Sequence, residues 1–227
     1  MAIETLDENR STHKSDESLT VLNIGSGPRL SGKLHVGFGS PHWREIRLDI
    51  DPAVDPDIVS SATDLSAFAA RSLNAIWSSH NIEHLHAHEV PVTFREFLRV
   101  LRPDGFALIT CPDLAQVAQA LIDQGGEFIA YQSPAGPITP IDMIFGHRRS
   151  IAAGNDFMTH RTGFTPDLIA GALLEAGFAE VRIVSGNFYD LWALALVRAG
   201  DLSLAQSCLE GTPQDGLLND SPIAIVG

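Results

Sequence analysis

Three groups of residues have the types and spacing to do chemistry. Gly25-Ser26-Gly27 follows the apolar, β-prone run Leu19–Ile24, so bare backbone stands directly after a strand, where N–H groups can point at a nucleoside. Asp49 closes the next expected strand, at the roughly twenty-residue offset from which a carboxylate accepts hydrogen bonds from both ribose hydroxyls; Asp51 competes for the role. The second group is His80, His84, His86 and His88, in which His84 and His88 could share a helix face and so suggest a metal site. No cysteine joins them, and the expectation is that no metal is bound. The third, His147-Arg148-Arg149, is a compact basic cluster that could hold one anionic group on a small substrate.

Nicotinamide dinucleotides and phosphate-free nucleosides both suit a glycine loop with a distal acid. The dinucleotide loop also needs a third glycine and a helix N-terminus aimed at a pyrophosphate. Here Arg29 and Leu30 fill that region while Pro28 and Gly32 disturb any helix, so a ligand without phosphates fits better.

The elements that would position these groups alternate along the chain. Residues 28–41 are rich in Gly, Pro and Ser, leaving room only for a short or irregular helix after the first strand. Strands are expected at 45–49, 57–59 and 74–78. Val90, Phe94, Phe97, Leu98 and Leu101 recur at helical spacing over 89–101, and Pro103-Asp104-Gly105 should end that helix in a turn. Residues 106–111 are almost wholly apolar, as in the interior of a parallel sheet covered on both faces. Residues 125–163 read as a lid-like insertion over the pocket. Thr165 as N-cap, Pro166 in the first turn and Gly177 past the end punctuate a helix over 165–176. Strand 180–184 follows, and 191–197 could pair antiparallel with it. The pattern predicts a doubly wound α/β sheet.

The 227 residues suit one domain, with 44% hydrophobic and 19% charged residues and no apolar run long enough to cross a bilayer. The expected organisation is a disordered tail at 1–18, a domain at 19–200 with the insertion at about 125–163, and a C-terminal tail or edge element at 201–227. The polar start lacks the basic and apolar blocks of a secretory signal, making the cytoplasm the default compartment. Cys111 and Cys208 build no disulfide framework. The net charge of −13 repels phosphate polymers, which argues against nucleic acid as a partner. Neither membrane attachment nor a particular oligomer is indicated, and a homodimer stays open.

Further motifs carry a family resemblance. Leu22-Asn23-Ile24-Gly25-Ser26-Gly27, Ser78-Ser79-His80-Asn81-Ile82-Glu83-His84-Leu85, Arg99-Val100-Leu101-Arg102-Pro103-Asp104-Gly105 and His160-Arg161-Thr162-Gly163-Phe164-Thr165 together resemble the class I S-adenosylmethionine (SAM)-dependent methyltransferases. The likeness is to small bacterial members with an L-N-I-G-C/S-G loop. It implies a mostly parallel seven-stranded sheet with an antiparallel edge strand, SAM as cofactor and S-adenosylhomocysteine as its product. By the same resemblance Asn23, Gly25, Ser26 and Gly27 line the methionine and ribose side and Asp49 holds the ribose. Ile50 packs on the adenine, Ser61 and Ala62 edge it, and Ser79 with His80 floor the methionine end. The chain departs from many relatives in carrying Asn23 and Ser61 where they carry Asp, with Asp64 close to the latter, and in placing Arg29 in the loop.

Methyl transfer from a sulfonium is an in-line displacement, so a base is needed only for a weakly nucleophilic acceptor such as a hydroxyl. His80 and His160 are the candidate bases, each weighed against cofactor packing or a structural hydrogen bond. The function expected is methyl transfer to an oxygen or nitrogen of a small polar molecule. A non-catalytic SAM- or nucleoside-binding module and an NAD-dependent oxidoreductase stand as alternatives.

Overall fold

A computed structural model of the protein describes residues 18–219 and 224–226, so the expected tail lies outside the described residues except for Ser18. Strands β1 (Leu19–Ile24), β2 (Trp43–Asp49), β3 (Ile58–Val59) and β4 (Leu73–Ser79) precede helix α1 (Val90–Val100) and strand β5 (Leu101–Pro112). Helix α2 (Leu114–Gln124), the hairpin β6 (Tyr131–Ser133) and β7 (Gly136–Ile138), and helices α3 (Pro140–Phe145) and α4 (Arg148–Ala152) follow. The chain then forms α5 (Pro166–Ala176), β8 (Glu180–Ser185), β9 (Asp190–Leu196), α6 (Ser203–Leu209) and β10 (Ala224–Val226).

Among the described residues all strands outside the hairpin form one sheet in the order β10-β8-β9-β5-β4-β1-β2-β3. From β3 to β5 the pairings are parallel, and β9 runs antiparallel to both β5 and β8. The fold is thus the mostly parallel α/β sheet read from the sequence, extended by β10 as one more antiparallel strand at the edge. The order reverses at β1 and β4, whose C-terminal ends lie side by side; ligands of open α/β sheets bind at that switch point.

Two apolar layers fix the sheet. On one face Phe94 and Phe97 of α1 and Ile169 and Leu173 of α5 pack on Leu22, Ile76 and Ile109. The other face would ordinarily receive a crossover helix after β1, but here the chain makes only a short 3-10 turn, Val36–Phe38. Phe38 of that turn and Ala205, Cys208 and Leu209 of α6 cover Trp77, Phe106 and Leu108 instead. The C-terminal segment therefore completes the core. Burial there pushes the Cys208 thiol up to about 12.

One local expectation fails. Pro103-Asp104-Gly105 does not separate helix from strand; these residues lie within β5, exposed except for Gly105, where the register against β4 jumps between Leu73 and Ala75. A bulge absorbs the turn chemistry without ending the strand.

Candidate active site

The first loop and the end of β2 are tied together by hydrogen bonds. Gly25 has φ 69° and Gly27 φ 61°, the left-handed region that glycine enters at least cost. A side chain on Gly25 would also run into the Asn81 amide. The Gly27 N–H donates to Asp49 Oδ2 at 2.8 Å, and Asp49 Oδ1 accepts from the Asp51 N–H at 3.0 Å. Each carboxylate oxygen keeps lone-pair capacity for a ligand. Asp51 instead caps the 3-10 turn Pro52–Val54 by accepting from Ala53 N–H at 2.8 Å. Beneath the loop the buried Arg47 guanidinium donates to the carbonyls of Gly27 and of Asp55, the latter at 2.7 Å. That clamp fixes the height of the loop above the sheet.

At the end of β4 the chain turns sharply. His80 sits at φ 46°, an uncommon conformation for a residue with a side chain and a frequent mark of functional sites. Its N–H donates to Thr110 O at 2.9 Å, and its Nδ1 lies 3.3 Å from Glu83 Oε1. Desolvation acts to lower the His80 pKa, but the Glu83 carboxylate, aided by Asp190, outweighs it and holds the imidazole above its ordinary value. Glu83 is 1% exposed. Burial alone would raise its carboxyl, yet contact with His80 and the charges of His84 and His160 hold it down at about 2. His160 is held the other way: burial makes its imidazole less basic than usual.

Residues between Tyr131 and Arg161 form another wall of the site. A capping box at Thr139 and Asp142 starts α3, and Arg148 Nε donates to Asp142 Oδ1 at 2.9 Å. Burial would raise the Asp142 carboxyl, but the hydrogen bonds from Arg148 and Thr139 bring it down to about 2. Arg148 also forks onto both oxygens of Glu127, at 2.9 and 3.0 Å. Replacing Asp142 by Asn should therefore lower thermal stability by roughly 1–2 kcal/mol through the lost cap and ion pair. Because the folded carboxyl is depressed, its stabilisation is present above the unfolded value of about 4 and lost as pH falls toward 2. Melting the wild type and Asp142→Asn across that range checks this: the two curves should converge on acidification.

Between these walls lies a cavity of about 700 Å3, inside the ~300–1,000 Å3 range of small-molecule sites. It brings together Gly25, Asp49, Ile50, Ser61, Ala62, His80, His147 and His160. Other expected site residues stand outside its lining. Asn23 turns its amide to Glu45 Oε1 at 2.6 Å, Ser26 is buried, and Gly27 faces Asp49 rather than the space. Ser79 also lies off the cavity. The basic cluster is divided: only His147 reaches the cavity, Arg149 does not, and Arg148 is spent on Asp142 and Glu127. Lys33, Asn81, Glu83, Tyr131 and Met143 line it without having been singled out for a role. Glu83 was visible in its motif, whereas Lys33 carried no signal.

Residues 23–109 match the model of the family described as a methyltransferase domain. Over those residues the chain is similar to methyltransferase domains. Among solved structures, a SAM-dependent methyltransferase from Archaeoglobus fulgidus is 15% identical, with a TM-score of 0.51 over 79% of this chain and 86% of that one. A complex between a methyltransferase and its activator from Haloferax volcanii gives 14% identity and a TM-score of 0.52, covering 80% and 83%. At such identities the likeness speaks for the fold. No curated protein matches the chain. The dinucleotide alternative loses its physical basis, because only a 3-10 turn follows β1 where a pyrophosphate would need a helix N-terminus.

Proposed function

We propose that this protein transfers the methyl group of SAM to an oxygen or nitrogen of a small polar acceptor. The observation that carries this is one continuous cavity joining a nucleoside-type end, with Gly25, Asp49, Ile50, Ser61 and Ala62, to an end lined by His80, His147 and His160. Asp49 would accept the ribose hydroxyls through the lone pairs its loop contacts leave free. Gly25 leaves the backbone bare where a side chain would press on Asn81. When bound, SAM supplies an electrophilic methyl on a sulfonium.

His80 is the residue that takes the proton of a hydroxyl acceptor. Glu83 orients its Nδ1 and leaves Nε2 for the acceptor, the arrangement a positioned base requires. His160 donates Nδ1–H to Met143 O at 2.8 Å and so belongs to the wall that receives the acceptor. The insertion would act as a lid that excludes water from this end. The net charge of −13 disfavours polyanionic acceptors, and among the described residues no helix is long and apolar enough to cross a membrane.

The test is S-adenosylhomocysteine release in the presence of separate panels of small hydroxyl and amine compounds, nucleic acids and unfolded proteins. Turnover is expected with small compounds. Turnover confined to the polymers would overturn the acceptor class while leaving the cofactor assignment intact.

A further inference from the structure

The acceptor end of the cavity gathers three side chains of metal-ligating type. Glu83, His84 and His160 each offer one ligand atom, and the three atoms lie within 4.8 Å of one another. All three residues line the cavity. His84 Nδ1 sits 3.1 Å from Thr159 O and His160 Nδ1 sits 2.8 Å from Met143 O. A carbonyl can only accept, so both Nδ1 atoms carry hydrogen and each neutral ring keeps its free lone pair on Nε2. A backbone carbonyl fixing the tautomer in this way is the usual support of a metal-bound histidine.

Glu83 supplies the second, independent observation. Its side chain is 2% exposed and neither carboxylate oxygen has a hydrogen-bond partner of good geometry. His80 approaches Oε1 alone, which leaves Oε2 bare. A buried carboxylate oxygen left without a hydrogen-bond partner beside two imidazole rings is costly, and a cation held between them would satisfy it.

The surroundings hold the three residues in place. The N–H groups of Arg161 and Thr162 donate to Glu83 O at 2.9 and 3.2 Å, and His160 N–H donates to Phe145 O at 3.2 Å. The end of the insertion is thereby stitched to the turn that carries Glu83 and His84.

We infer that Glu83, His84 and His160 form a binding site for a divalent transition-metal ion of the zinc class, with its remaining coordination position open to the acceptor end of the cavity. Two imidazoles and one carboxylate are the donor set of three-ligand zinc sites that keep a position for water or substrate. Ligand atoms around such an ion stand about 3.3 Å apart, so the widest pair here must close by roughly 1.5 Å on binding. The ion would hold and acidify an oxygen of the acceptor as a Lewis acid. That function rests on the methyl-transfer reading, whereas metal binding itself does not. The exposed pair His86 and His88, whose rings stack 5.6 Å apart, lies off the cavity and plays no part in the site. The sequence spacing paired His84 with His88, whereas here His160 stands beside His84.

The test uses the full-length, tag-free protein, stripped with a chelator and titrated with cobalt(II) chloride, with zinc chloride as competitor. One cobalt ion per chain should bind with visible d–d absorption that zinc abolishes. His84→Ala and His160→Ala should each weaken cobalt binding at least tenfold, while His86→Ala and His88→Ala leave it unchanged. Circular dichroism and S-adenosylhomocysteine affinity, measured on every variant, separate loss of the ion from loss of the fold. Folded protein that binds S-adenosylhomocysteine but gives no cobalt spectrum overturns the metal site alone. A spectrum that survives in His160→Ala, or is lost in His86→Ala, overturns it too.

Discussion

Replacing His80 by asparagine should lower turnover on a hydroxyl acceptor roughly 10²–10⁴-fold, the usual contribution of a positioned base, with S-adenosylhomocysteine binding almost unchanged. Asparagine is the informative substitution because it tolerates positive φ, so the turn at φ 46° can persist. Its amide can also approach Glu83, yet it cannot take up a proton. The expected signature is thus a fall in kcat with KM nearly kept. An amine acceptor that arrives unprotonated should be much less affected, since its lone pair needs no base. Equal turnover of His80→Asn and wild type on a hydroxyl acceptor would remove His80 from the chemistry and leave it as a wall of the cofactor site.

What the sequence made legible was chiefly periodic or punctuated. Val90, Phe94 and Phe97 recur on one face and become the buried side of α1; Thr165, Pro166 and Gly177 bracket α5 because capping is a local matter of a few residues. That the first loop and the end of the second strand come together was also foreseeable, since strand length and the parallel register set it; the hydrogen bond from Gly27 to Asp49 was not. These features follow from near neighbours in the chain or from one repeating geometry.

The features that were misread or carried no signal depend on distant partners. Nothing near 201–209 announces that Cys208 and Leu209 will cover Trp77 and Phe106, because that requirement arises from a missing crossover helix far upstream. Arg47 reads as an ordinary polar position of a strand, but its guanidinium is enclosed by carbonyls of two loops. His147-Arg148-Arg149 looks like an anion site only while Asp142 and Glu127 are out of view. Charge runs in a sequence report what is present, whereas availability depends on which opposite charges the fold delivers. The same holds for the histidines: spacing favoured His84 with His88, and the fold instead set His84 against His160, with ring centroids 4.8 Å apart.

Asp49→Ala should weaken S-adenosylhomocysteine binding by roughly 1–3 kcal/mol, the range for charge-assisted hydrogen bonds to a buried polar ligand. In calorimetry this is a loss of about 5- to 150-fold in affinity. Two effects add in that number. The carboxylate would face the ribose directly, and it also receives the Gly27 and Asp51 N–H groups that set the shape of the first loop. Asp49→Asn separates them: its single carbonyl oxygen can retain one of those contacts but not the paired acceptance of two hydroxyls. The asparagine variant should therefore keep wild-type thermal stability more closely than the alanine variant while losing much of the same affinity. Asp51→Ala should leave affinity nearly intact, because that side chain is occupied in capping Ala53 and stands off the cavity. If Asp51→Ala proved the more damaging of the two, the ribose would lie further along the chain than Asp49, and the nucleoside end of the cavity would have to be redrawn around Pro52 and Ala53.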